Sequence, residues 1–345
     1  MNNTVYIRVD GNEIIATGHV MRCLSIAEQL RKQDVEVIFI ISDGRSETMI
    51  KEKKFKVNIL NTIWDNLDEE IPVITNYIKE NAVKILLMDS YYITKRYLHE
   101  ISKYTKVVYI DDLKLFPYDV YALVHDDPFS TQDEYQRLYS GYKMPKLLVG
   151  GRYVPLREEF MYKPYYVNED VKRILITTGG TDSLNITGKL LERLIKEKAM
   201  LGIELHVIVG RFNIHREELK DMARLHDNIY LHENVTNMSY WMRYCDIAIS
   251  AGGTTLYELC ACGIPTICLS IADNQEEIGI WQDKGYMKYA GNACKNMDEC
   301  INNCVTDIKV YCKDMKTREK SSKRMQELLD GLGAERIAEY LINLL

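Results

Sequence analysis

Short apolar runs rich in Val, Ile and Leu alternate with longer amphipathic stretches along nearly the whole chain, in two successive series. The first reads "TVYIRV", "VEVIFII", "KVNIL", "KILLMD" and "KVVYIDD", with stretches of helical period between them such as Gly18 to Lys32 and "DEEIPVITNYIKENA". Runs apolar at every position, rather than at every second one, suit strands buried on both faces, as in parallel sheets covered by helices. A less regular stretch, Gly150 to Val171, carries Pro155, Pro164 and several tyrosines. The pattern then resumes as "RILITTGG", "ELHVIVG", "NIYLHE", "DIAISAGG" and "PTICLSI", again with helical stretches between. Such alternation specifies an α/β chain of two doubly wound, Rossmann-like domains with a cleft between them. The boundary falls at residue 160, giving an N-terminal domain over 1–160 and a C-terminal domain over 161–345. The charged, helical tail from Val305 is expected to pack back across the domain interface.

Composition removes several classes of function. A net charge of −6 over 345 residues gives no global attraction to nucleic acid or to anionic lipid. No apolar run reaches membrane-spanning length, so membrane insertion is not expected. The start "MNNTVYIRVD" lacks the basic and apolar regions of a signal peptide, and the expected location is cytoplasmic. The nine cysteines include no C-x-x-C pair, which reads as free thiols rather than a disulfide framework or a zinc site.

Polar and glycine-rich residues gather where strands should end, the place at which open α/β sheets bind ligands. In "SAGGTTLYELCACGIPT", Gly252 and Gly253 let backbone amides approach a ligand, and Thr254 and Thr255 stand at a helix start whose positive end suits a diphosphate. Glu258, one turn further, offers a carboxylate to a pair of ribose hydroxyls. "TTGGTDSLN" repeats the logic with Gly179 and Gly180, and Asp182 or Asn185 as the helix cap. Its spacing fits neither a dinucleotide fingerprint nor a Walker loop. In "IADNQEEIGIW", Asn274 and Gln275 present amides suited to sugar hydroxyl or acetamido groups, or else serve as a cap. His19 stands out among the seven histidines by its place in the first turn of a helix after a glycine-bearing loop. The positive helix end disfavours its protonated form, which suits a general base, and Gly18 leaves room beside it.

These residues together resemble the glycosyltransferase-B (GT-B) type fold. The closer likeness is to the UDP-2,4-diacetamido-2,4,6-trideoxy-β-L-altropyranose hydrolase family of pseudaminic acid biosynthesis. It rests on "GHVMRCLSIA", "MDSYY", "YIDD", "GGRYVPLREEF", "TTGGTD", "ISAGGTTLYELCACGIPTICL" and "DNQ", which occur in that family's order from about Val5 to Gly291. The resemblance implies that His19 is the catalytic base, that Tyr91 lies near water or sugar, that Arg157 lies on the hinge side of the cleft, and that Glu258 holds the ribose. It places Asn274 and Gln275 at the sugar. Asp10, Gly18, Arg22, Asp89, Gly179, Gly180, Gly252, Gly253 and Thr254 complete the expected substrate-binding set. The doubled Tyr91–Tyr92 leaves open which ring faces the substrate. The implied reaction is attack by water at the anomeric carbon with inversion, releasing UDP, with neither metal nor cofactor expected. A GT-B glycosyltransferase with a UDP-sugar donor, and a non-catalytic nucleotide-sugar-binding protein, are the alternatives.

Overall fold

Five-residue runs such as Ile85–Asp89 and Ile247–Ala251 are buried along their whole length, the burial expected of central parallel strands. The computed structural model describes residues 3–345, except the side chains of Ala199, Asp273, Asn274 and Glu276. It divides into two units, one of Met1–Glu158 with Gly331–Leu345 and the other of Glu159–Asp330.

The first unit carries strands β1 (Thr4–Val9), β2 (Glu36–Ile41), β3 (Lys56–Ile59), β4 (Ile85–Asp89), β5 (Lys106–Ile110), β6 (Ala122–His125) and β7 (Lys146–Val149). They form one parallel sheet in the order β3-β2-β1-β4-β5-β6-β7. The order reverses between β1 and β4, where Val9 pairs with Asp89, so the loops after these two strands diverge and leave a crevice. Alternation along β1 sends Val5, Ile7 and Val9 to one core and Tyr6 to the other. Arg8, on the Tyr6 side, is buried against Glu70 of helix Leu67–Glu80 with contacts of 2.8 and 2.6 Å. Burial works against ionisation of Glu70, but the Arg8 guanidinium, Thr62 and Tyr97 together hold its carboxyl below the usual range.

β6 and β7 are absent from the sequence-level series, which ends at "KVVYIDD". Each is only four residues long and too short to announce itself by periodicity. The sequence also assigns everything after residue 160 to the second domain, but Gly331–Leu345 belong to the first unit. Ile337, Ala338 and Leu341 of helix Gly333–Ile342 share the core of Val20, Leu24 and Ala27. Gly333 permits the approach, since a Cβ there would lie 2.2 Å from the Val154 carbonyl oxygen.

The second unit holds β8 (Arg173–Thr177), β9 (Glu204–Val209), β10 (Ile229–Glu233), β11 (Ile247–Ala251), β12 (Thr266–Ser270) and β13 (Lys288–Asn292). These are parallel in the order β10-β9-β8-β11-β12-β13. Here the reversal lies between β8 and β11, and the two glycine pairs follow those two strands. Helix Met297–Lys313 closes one face of this sheet through Cys300, Ile301, Cys304, Val305 and Ile308. Among the described residues no helix is long and apolar enough to cross a membrane.

Candidate functional site

In the first unit, the loop after β1 runs into helix Gly18–Lys32 with His19 in its first turn. Residues three apart share a helix face, so His19 and Arg22 both point toward the end of β4. His19 is 5% exposed, and its Nδ1 lies 2.6 Å from Asp89 Oδ1. Arg22 forks onto the same carboxylate through Nε and Nη2, both at 2.6 Å. It reaches Asp112 after β5 at 2.8 and 2.7 Å, and both oxygens of Asp126 after β6 at 3.4 Å.

Arg22 Nη2 also approaches His19 Nδ1 at 3.1 Å, but a guanidinium only donates. The shorter contact to a carboxylate assigns the Nδ1 proton to the bond with Asp89. In the neutral ring Nε2 then carries the lone pair. Among the described residues it has no hydrogen-bond partner, and it is not one of the fully enclosed unpaired atoms. Burial would raise the Asp89 carboxyl, yet Arg22 and then His19 hold it well below the ordinary range. Asp126 is displaced the other way, chiefly by burial, which works against the pull of Arg22, with Asp112 and Asp89 adding repulsion.

Tyr91 resolves the doubled tyrosine. It is 42% exposed, and its ring packs edge-on against His19 with centroids 4.3 Å apart. Tyr92 turns instead to Trp64, 5.1 Å away. Gly18 is exposed, and a Cβ there would meet nothing within 4 Å. Arg157 is half-buried, close to the end of the unit's main segment.

Three expected binding residues have other duties in this unit. Asp10 accepts from Arg8 at 2.5 Å and from the Ser42 amide and hydroxyl at 2.8 Å each, which fixes the end of β1. Asp89 is 1% exposed and, like Arg22, is engaged in orienting the His19 cluster rather than presented to a substrate. His19, Asp89 and Asp112 also bring three ligand-type atoms within 4.8 Å of one another. Arg22 donates to both of those carboxylates, so the fixed cation of the cluster is a guanidinium.

The second unit presents mainly backbone. After β8, Gly179 takes φ +87°, and a Cβ at either Gly179 or Gly180 would meet nothing within 4 Å. The following helix start is closed by its own side chains. Asp182 accepts from the amides of Ile186 and Thr187 at 2.8 and 3.0 Å, and Asn185 accepts from Gly188 at 3.3 Å. After β11 the arrangement differs. A Cβ on Gly252 would fall 1.7 Å from Ile278 Cδ1, and Gly253 takes φ +135°. Thr254 precedes helix Thr255–Cys262 without capping it through its side chain. Among the described residues, the Gly253 and Thr254 amides have no acceptor. Glu258 sits half-buried in the first turn.

Gln275 departs from its expected sugar contact. Its Oε1 accepts from the Ile271 amide at 2.8 Å and its Nε2 donates to the Gly252 carbonyl at 3.2 Å, which ties the two loops together. The Asn274 side chain lies outside the described residues. Two contributors escape the sequence. Asp126 follows β6, and without that strand nothing marks the position as a sheet end. Gly210 ends "ELHVIVG", and a Cβ there would sit 2.3 and 2.4 Å from the carbonyl oxygens of Gly179 and Gly180.

No protein-family model matches the chain. An uncharacterized protein of Methanocaldococcus jannaschii is 30% identical over 79% of this chain, which spans only 57% of that relative's length. The UDP-2,4-diacetamido-2,4,6-trideoxy-beta-L-altropyranose hydrolase of Campylobacter jejuni is 26% identical over 82% of this chain and 97% of its own. The spore coat polysaccharide biosynthesis protein SpsG of Bacillus subtilis is 24% identical over 79% of this chain and 78% of its own. Among solved structures, Acinetobacter baumannii MurG superposes with a TM-score of 0.69 at 13% identity, over 98% of this chain and 99% of that one. Medicago truncatula UGT71G1, solved with UDP-glucose, gives 0.64 at 13%, over 99% and 98%. The fold of this chain is that of the GT-B glycosyltransferases, and its relatives at 24–26% identity include proteins named as UDP-sugar hydrolases.

Proposed function

We propose that this protein hydrolyses a UDP-linked 2,4-diacetamido-2,4,6-trideoxy hexose in nonulosonic acid biosynthesis, releasing UDP. The observation that carries this reading is the Asp89–His19 pair, whose Nε2 has no protein partner among the described residues, at the switch point of the first sheet. Water gives a proton to Nε2 as its oxygen attacks the anomeric carbon. The bond from that carbon to the diphosphate oxygen breaks with inversion, and the electron pair leaves with UDP. Asp89 keeps the Nδ1 proton in place and stabilises the imidazolium that forms, as a buried carboxylate does for other catalytic imidazoles.

In this reading the amides of Gly253 and Thr254 meet the charge that grows on the diphosphate, an electrostatic role of the oxyanion-hole kind. Gly179, Gly180 and Gly252 allow close approach of backbone, and Glu258 accepts from the ribose hydroxyls. Tyr91, Gly18, Arg157 and Asn274 are assigned to the sugar side. UDP is already a good leaving group, so the paired carboxylates of a glycosidase are unnecessary. Neither metal nor cofactor enters the scheme.

The GT-B fold also accommodates one other reading, transfer of the sugar to an acceptor. UDP release from a UDP-sugar panel, followed by proton NMR with no acceptor present, separates the two. Release in water alone, with the inverted anomer formed first, supports hydrolysis. Release that requires an acceptor overturns it, and binding without release would make the chain a nucleotide-sugar sensor.

A further inference from the structure

All strands of the first sheet are parallel, so the starts of β5, β6 and β7 lie at the pole opposite His19. Around these starts Thr105, Lys106, Tyr121, Lys143, Lys146 and Tyr340 line a cavity of about 690 Å³. That volume falls within the range of roughly 300–1,000 Å³ typical of small-molecule sites. A neighbouring hollow shares Thr105 and Lys106 and adds Lys84 and Tyr104.

The lining has a definite chemistry. In a chain of net charge −6 it gathers three lysines and a single acidic side chain, Asp119, whose partner is His99 at 3.2 Å. Lys106 donates to the Leu344 carbonyl at 3.0 Å and stands 5.4 Å from the Tyr121 ring centroid. Lys143 and Lys146 form no ion pair among the described residues, and an ammonium group only donates, so they await an anion. The Tyr121 ring is 47% exposed and provides a flat apolar face. Thr105 is 8% exposed, and among the described residues its Oγ1 has no hydrogen-bond partner, so the polar groups of this lining are not all satisfied from within.

Unpaired lysines beside exposed tyrosine rings select a ligand with both an anionic group and a planar ring, and the volume exceeds the needs of phosphate alone. We propose that this cavity is a second ligand site for a mononucleotide, with its phosphate on Lys143 and Lys146 and its base against Tyr121. The site is separate from the residues assigned to catalysis, so its occupant acts as an effector and not as a substrate.

Calorimetric titration of the full chain with UMP, CMP, AMP, GMP and inorganic phosphate tests this. At least one mononucleotide should bind, one per chain, and should still bind the Glu258→Ala variant. Affinity should fall at least about tenfold in Lys143→Glu/Lys146→Glu and also in Tyr121→Ala. Absence of binding at millimolar mononucleotide overturns the proposal. So does the absence of a Glu258-independent equivalent per chain, or survival of that equivalent in the double lysine variant. Inorganic phosphate binding as tightly as the best mononucleotide overturns it too, because the ring would then go unread.

Discussion

The two sheets end in different materials. At its switch point the first unit sets charged side chains that satisfy one another, with His19, Arg22, Asp89, Asp112 and Asp126 in one network. The second sets glycines and a threonine, whose amides at the start of helix Thr255–Cys262 have no acceptor among the described residues. A group that must exchange a proton needs a partner to hold its tautomer, which the Asp89 carboxylate supplies here. A group that must accommodate a diphosphate needs amides and room, which side chains would obstruct. A smaller contrast lies within the second unit. Two helix starts follow neighbouring strands, one closed by Asp182 and Asn185 and the other open after Gly253.

Substitution at His19 breaks the contrast most strongly. His19→Ala should lower kcat by about 10²–10⁴ and leave UDP affinity intact, since only the first unit loses its proton acceptor. Stopped assays with parallel UDP titration measure both, and near-normal turnover removes His19 from the role. Asp89→Asn should cost a comparable amount, up to about 10⁴-fold in kcat, because the amide can hold the imidazole in the wrong tautomer. The pH–rate profile should move with it while KM stays put, which a merely structural loss would not produce.

Gly210→Ala tests the second unit by displacing the glycine pair after β8. The added methyl meets the Gly179 and Gly180 carbonyls, and overpacking of that kind costs about 1–3 kcal/mol. Denaturant midpoints should fall, and UDP affinity should fall while the His19-dependent step in bound substrate is preserved. The two helix starts then separate by stability. Asp182→Ala should lose about 0.5–2 kcal/mol with its cap bonds, whereas Thr254→Ala, which removes no cap bond, should stay within about 0.5 kcal/mol.

A last, finer test is acid stability. The folded Asp89 titrates below its unfolded value of about 3.9, so the unfolded chain takes up the proton first as pH falls. Its contribution is therefore complete above about pH 4 and is lost as pH drops through the folded value. Asp89→Asn lacks that group and should show a shallower decline below about pH 4 in thermal melts.

Much of the site is legible in local sequence because it lies at strand ends. His19 and the glycines after β8 and β11 each follow a recognisable apolar run. Asp182 and Asn185 are legible as caps for the same reason, being set by residues close by in the chain. Asp126 is not, because β6 has four residues and no periodicity to declare it. Gln275 misleads. An amide at a strand end looks free in sequence, but here it bridges Ile271 and Gly252, a partner 23 positions away.

By itself the sequence determined the alternation of buried strands and amphipathic helices, and with it two doubly wound sheets. Those features follow from residue periodicity and need no distant partner. Tertiary structure decided which carboxylates surround Arg22, that Tyr91 rather than Tyr92 meets His19, and that the last fifteen residues join the first unit. Strand order brings residues 19, 89, 112 and 126 together across the sheet ends. Such pairing depends on which strands become neighbours, and no window of local sequence carries that information.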